Sequence, residues 1–226
     1  SEYSFYLRGD LQNPNIGLLN KLNTAGERKN SYHLSWNKAN KVSFPDSSSI
    51  STEAGSLYED LEMKYESTDG RFSKIHCLHD NTVPIHKAFK LRIRYNEKLI
   101  PYKNKALVVS LDDKGRQYNE GGKLEGKYMT CSIKNFGRYT IAIDTVAPKC
   151  KPQNFVSGKA FKAKEKKIIV KISDNLAGIT SYNAYLNGQW ILAEYDGKSG
   201  RLIMDAKKLK QGTNKLTIKL SDSKSN

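Results

Sequence analysis

Residues 136–148 read FGRYTIAIDTVAP, and this stretch limits what the chain can fold into more than any other. Tyr139, Ile141 and Ile143 alternate with Thr140, Ala142 and Asp144, the period-two pattern of a strand with one face buried. Pro148 then removes a ladder donor and restricts the residue before it, so the strand cannot run on. Elsewhere helical periodicity is nearly absent. Alternating segments recur at residues 3–8, 32–36, 41–44, 57–65, 89–95, 105–111, 127–133 and 139–144. Turn chemistry such as Asp112-Asp113-Lys114-Gly115 and Asn119-Glu120-Gly121-Gly122 separates them. Short strands with Gly- and Asp-rich turns predict an all-β fold of two tandem, immunoglobulin-like β-sandwich modules. Residues 13–30 read either as a loop or as a short helix around Leu18-Leu19-Asn20-Lys21-Leu22.

The expected modules are residues 1–147 and 148–226. In the second, Ile168, Val170 and Ile172 share one face, and Leu216, Ile218 and Leu220 repeat the pattern near the end. Asn187-Gly188 predicts a tight hairpin, because both residues tolerate positive φ. A two-residue turn there sets Tyr185 opposite Trp190, whereas a three-residue turn including Gln189 shifts the pairing by one. A second hairpin is expected through Asp196-Gly197-Lys198-Ser199-Gly200.

Charge is uneven. Residues 149–226 carry +10 of the net +15, and Lys159, Lys162, Lys164, Lys166 and Lys167 concentrate it before a strand. Such a patch attracts anionic lipid or an acidic wall polymer, while its plainer role is to protect a sheet edge from pairing. No nucleic-acid motif accompanies it, so nucleic acid is not an expected partner. No apolar run approaches the roughly 20 residues that cross a bilayer. Cys77, Cys131 and Cys150 are an odd set, which argues against a disulfide framework; Cys131, between Met129 and Ile133, reads as a small core residue.

The motif FG-Y-IAIDT-AP of residues 136–148, followed by ISDNLAGI (172–179) and the run from Tyr182 to Asp196, resembles the C-terminal β-sandwich region of M23 (lysostaphin-like) zinc metallopeptidases of Bacteroidota. The resemblance runs from about Leu57 to the end and is strongest over residues 127–196. It implies export to the periplasm or outer membrane and partners in the cell envelope or peptidoglycan. It also implies a role as a non-catalytic accessory region that positions a peptidoglycan-hydrolase domain or docks an envelope partner. The alternative is a scaffold or binding subunit of an outer-membrane assembly without an active peptidase. A chain that begins at Ser1 with no leader-like segment is expected to be processed or partial.

No catalytic residue can be assigned. His76 and Asp80 match the H-x-x-x-D half of the family's zinc motif, but no H-x-H exists among His33, His76, His79 and His86, and catalytic zinc needs about three protein ligands. His76 and His79 are therefore expected to be structural, and zinc belongs to a peptidase domain outside this chain; no cofactor is expected within it. Asp174-Asn175 before Gly178 could offer oxygens to calcium, yet the spaced ligands of a calcium loop are missing and a plain turn is expected. Glu59-Asp60 and Asp112-Asp113 are expected to be solvated. Arg8-Gly9-Asp10 carries no weight as an isolated tripeptide. Candidate contacts for a partner or glycan are Tyr185, Trp190, Lys159, Lys162 and Lys164. Trp190 stacks on sugar in that reading, and packs into the sandwich or on its hairpin neighbour in the plainer one.

Overall fold

A computed structural model describes residues 31–158, 160–161 and 166–226. The expected strand at 3–8, the tripeptide at 8–10, the segment 13–30, and Lys159, Lys162 and Lys164 lie outside the described residues. The regular structure of the described chain is almost entirely strand. The first six strands are β1 (Ser31–Leu34), β2 (Asn40–Ser43), β3 (Ser49–Thr52), β4 (Leu61–Asp69), β5 (Lys74–Leu78) and β6 (Pro84–Arg94). A kinked 3-10 segment, Glu97–Lys105, leads to β7 (Ala106–Leu111), β8 (Gln117–Gly121), β9 (Lys123–Glu125), β10 (Tyr128–Asn135) and β11 (Gly137–Ile143). These strands form a six-stranded sheet, β1-β4-β5-β11-β7-β8, and a five-stranded sheet, β2-β3-β6-β10-β9. Every pairing is antiparallel.

Alternation explains the packing. Leu34, Met63, Leu78, Tyr139 and Ile141 from one sheet meet Ile50, Phe89, Leu91, Ile93 and Ile133 from the other in a single buried core. Cys131 lies there too, 7% exposed, and burial pushes its thiol up to about 12, which makes it an inert packing residue. Several strands differ from the sequence reading. The segment expected at 57–65 starts only at Leu61, since Leu57 is buried in the preceding turn. Strands β3, β5 and β8 carry serine, histidine or glycine where a plain apolar alternation would have announced them.

The remaining strands are β12 (Lys149–Pro152), β13 (Lys167–Ser173), β14 (Ile179–Leu186), β15 (Gln189–Ile191), β16 (Ala193–Asp196), β17 (Arg201–Asp205) and β18 (Leu216–Asp222). They form a four-stranded sheet, β12-β13-β17-β16, and a three-stranded sheet, β15-β14-β18. Ile168, Val170, Ile172, Leu202 and Met204 pack against Ala184, Leu186 and Ile191 between them. The expected strand over Trp190–Tyr195 is broken at Leu192, where the chain crosses from one sheet to the other. The hairpin has its two-residue turn, with Asn187 at φ +52° and Gly188 at φ +83°, and Tyr185 pairs with Trp190.

The two sandwiches meet along a seam. Leu107, Val109 and Ala142 lie on the outer face of the six-stranded sheet and are buried, with Leu176 from the second sandwich packed against them. Polar ties flank this contact. Ala177 donates its backbone N–H to Asp144 Oδ2 at 2.7 Å and accepts from Asn119 Nδ2 at 2.9 Å and from Ser223 Oγ at 2.9 Å. Lys105 Nζ donates to the Lys224 carbonyl at 2.7 Å and to Asn226 Oδ1 at 2.5 Å, while Asn226 Nδ2 donates to the Asp144 carbonyl at 3.0 Å.

Candidate functional site

The predicted contact residues that the structure describes, Tyr185 and Trp190, share the outer face of the three-stranded sheet. Ala184 and Leu186 are 1% and 4% exposed, so alternation turns Asn183 and Tyr185 outward on β14. Ile191 is buried on β15, which turns its neighbour Trp190 outward. On β18, Thr217 pairs with Tyr185 and Lys219 with Asn183. The face therefore presents a row Trp190–Tyr185–Thr217 across three strands, with Asn183 and Lys219 as the next row. The Lys219 ammonium lies 5.3 Å from the Tyr185 ring centroid, a cation–π contact that fixes the phenol. The hairpin tip is also held: Asn187 Oδ1 accepts from Lys215 N at 2.8 Å, and Asn187 Nδ2 donates to Asn214 Oδ1 at 3.0 Å.

Trp190 is 58% exposed, which corrects the plainer expectation that it packs within the sandwich. It is opposite Tyr185 in register, but the tyrosine ring takes Lys219 as its partner rather than the indole. Leu192, 59% exposed at the sheet crossing, extends the apolar surface. Tyr182 and Tyr195 pair at 5.5 Å between centroids and close the gap between the two sheets. An indole, a phenol, an amide, a hydroxyl and an ammonium on one rigid sheet suit stacking on a ring while neighbouring groups hydrogen-bond its edge. All four histidines of the chain lie in the first sandwich, so no imidazole serves acid–base chemistry on this face.

Basic charge gathers on the opposite sheet. Lys151 pairs with Lys171, and Lys171 with Arg201, so three exposed cations stand directly opposite one another across β12, β13 and β17. Like charges in that relation destabilise a sheet. The sequence reading placed the basic patch before β13; this cross-strand row was hidden because its members are 20 and 30 residues apart.

The histidine motif does not converge. His76, on β5, is 0% exposed; its Nδ1 lies 2.9 Å from the Tyr65 hydroxyl, and its ring stacks beside Phe44. Burial lowers its pKa, against an opposing pull from Asp46, so the ring is neutral at pH 7. A Tyr65 hydroxyl donating to Nδ1 leaves the proton on Nε2, which has no hydrogen-bond partner and faces Asp46 Oδ2 at 3.5 Å. His79 sits at a left-handed backbone position, φ +49°, and its Nδ1 accepts from Lys64 N at 3.2 Å. Asp80 turns instead to its own loop, accepting from the Thr82 amide and hydroxyl at 2.9 Å each. His76 and Asp80 therefore do not form half of a zinc site.

In the other acidic pairs Glu59 and Asp113 are exposed, as expected, while their neighbours Asp60 and Asp112 anchor turns. Asp112 accepts from Lys114 N, Arg116 N, Arg116 Nε and Tyr118 Oη, and Asp60 Oδ1 accepts from Trp36 N. Cys77 is partly buried and Cys150 exposed, and all three cysteines are free. Among the described residues no helix is long and apolar enough to cross a membrane.

A family model described as the Zu5-like domain matches residues 31–144, which are the first sandwich. No curated protein matches the chain.

Proposed function

The chain belongs to the Zu5-like domain family, and from that premise we propose that its two sandwiches act as a non-catalytic docking and positioning region of an exported, M23 peptidase-like cell-envelope protein. In this reading the first sandwich is the scaffold, the seam fixes the second sandwich on it, and the Trp190 face makes the contact with peptidoglycan. The observation that carries the proposal is the indole of Trp190. It is 58% in water although it sits mid-strand in a fixed cross-strand row. Solvent-facing aromatic rows of this kind are the usual anchors of binding surfaces. The sequence resemblance to the C-terminal regions of M23 peptidases supplies the envelope setting.

Co-sedimentation with purified peptidoglycan sacculi tests the reading. Wild-type protein is expected to pellet with the wall, and Trp190→Ala to weaken binding by at least about tenfold with an unchanged Tm. Tyr185→Ala should weaken it less, since part of that ring is already engaged by Lys219. Full binding by the Trp190→Ala, Tyr185→Ala double variant would remove the face from the proposal.

A further inference from the structure

Three carboxylates from distant stretches meet at the seam. Asp144 follows β11, Asp174 follows β13, and Asp222 ends β18. One oxygen of each lies within 4.8 Å of the others. Asp144 is 0% and Asp222 3% exposed and Asp174 is half-buried, so water screens their mutual repulsion only in part.

Most of their oxygens accept hydrogen bonds from the surrounding chain. Asp144 takes the amides of Val146 at 2.9 Å and Ala177 at 2.7 Å. Asp222 takes the amides of Lys224 and Asn226 and the Asn226 side chain, each at 2.8 Å. Asp174 Oδ2 takes the amides of Leu176 at 3.0 Å and Gly178 at 2.7 Å. These donors fix the carboxylates but bring no whole positive charge.

Asp174 Oδ1 is the exception. It is buried and accepts no hydrogen bond. A carboxylate oxygen shut off from bulk water and without a donor is costly, and a cation shared with its two neighbouring carboxylates relieves it and their repulsion together. The nearby Lys105 ammonium hydrogen-bonds the Lys224 carbonyl and Asn226 Oδ1 rather than any of the three carboxylates. Among the described residues no ion pair within 4 Å joins any cation to Asp144, Asp174 or Asp222.

From the clustered oxygens and the orphaned Asp174 Oδ1, we infer that the seam binds calcium, with Asp144, Asp174 and Asp222 as its anionic ligands. An all-oxygen donor set selects a hard divalent cation. Calcium bonds of 2.3–2.6 Å in flexible geometry let one ion bridge oxygens up to roughly 5 Å apart, which covers the full 4.8 Å limit of this cluster, whereas magnesium demands near-ideal octahedral geometry. The ion would join Asp144 of the first sandwich to Asp174 and Asp222 of the second. It goes beyond the docking proposal and does not depend on it. Asp174 is a turn residue, as its spacing predicted, but its Oδ2 alone makes the turn. The other ligands come from 30 residues before it and 48 after it, where no calcium-loop spacing could reveal them.

The test is calcium binding and thermal unfolding of the whole chain, first stripped with chelator. Calorimetry is expected to find one equivalent of calcium, and a concentration near a hundred times Kd to raise Tm by roughly 5–10 °C. Asp174→Asn keeps an acceptor for Leu176 and Gly178 and removes one of three like charges. Its Tm in chelator should equal or exceed the wild type's, with the calcium shift gone; Asp222→Asn provides a second variant of the same kind. Asp69→Asn, at an exposed carboxylate paired with Lys74, should retain the full shift. Equal Tm of the wild type in calcium and in chelator would overturn the site. So would a shift reproduced by sodium chloride at matched ionic strength, or one retained by Asp174→Asn. A magnesium shift as large as calcium's at equal concentration would overturn the assignment of the ion.

Discussion

Replacing His76 with alanine is expected to lower the stability of the first sandwich by roughly 3 kcal/mol in denaturant unfolding, the sum of a core cavity and a stranded partner. The ring is fully buried beside the stacked rings of Phe44 and Tyr65, and its loss takes away the imidazole partner of the Tyr65 hydroxyl. Burial pushes the Tyr65 pKa up to about 12, against a hydrogen bond from Ser67. The pairing is separable from simple volume. His76→Leu fills much of the space but still strands the hydroxyl, so adding Tyr65→Phe should recover stability relative to His76→Leu alone. A double variant no better than the single one would show that the polar pair does not matter.

The same burial sets the response to acid. The folded-state pKa of His76 lies below its ordinary value of about 6.5, so the unfolded chain binds the proton first. The stability from keeping this ring neutral is complete above pH 6.5. It is lost as pH falls from there through the folded value, at up to about 1.4 kcal/mol per pH unit. His79 is lowered too, chiefly by its own burial, and adds in the same direction. Chemical unfolding between pH 7 and pH 5 should show this slope in the wild type and a shallower one in His76→Leu. Equal slopes would place the acid sensitivity elsewhere.

The second large effect is expected at Asp144. Its carboxylate is fully buried and is the acceptor for the amides of Val146 and Ala177, on opposite sides of the seam. Asp144→Ala leaves the buried Ala177 amide without its acceptor, while the amide of half-exposed Val146 can turn to water, and should cost about 2–3 kcal/mol. Measured in chelator, this cost is that of the lost hydrogen bonds less the repulsion relieved by removing one of the three carboxylates. Amide exchange at Ala177 should accelerate sharply, while amides of the first core, such as those of Leu91 and Ile133, keep most of their protection. Asp144→Asn, which retains one acceptor oxygen, should fall between the two. Unchanged exchange at Ala177 in the alanine variant would mean that Leu176 docked on Leu107 and Val109 holds the seam by itself.

What the sequence revealed follows the reach of its signals. Asn187-Gly188 announced a hairpin and, given a two-residue turn, the Tyr185–Trp190 register, because the backbone demand at positive φ is local. Ile168-Val170-Ile172 announced β13 by its own alternation, and residues 139–144 announced β11. Strand β5 was unreadable because His76 occupies a core position that alternation assigns to an apolar side chain; only its partners on β4 and near β2 make it one. Both orientations of Trp190 were open, since period two gives the relation between neighbours but not which face meets the core. The β7 run Ala106-Leu107-Val108-Val109 is apolar on both sides, and that doubled burial was the one local hint that a second body covers the outer face. The acidic cluster left no hint, because its members close three different strands.

The position of β11 has a mechanical consequence. This strand lies inside its sheet, held by β5 on one side and β7 on the other, whereas β12, the next strand along, is an edge held by β13 alone. A pull applied through residues 144–149 must therefore shear two ladders to extract β11, but need only peel one to free β12. The ties from Asp144 and Asn119 to Ala177 run in parallel with that weak element, and Lys105 and Asn226 add a second strap. Tension between the sandwiches is thus carried across their faces rather than along the connecting chain. A pair held in this way transmits a load as one stiff lever until the straps fail, and only then lengthens.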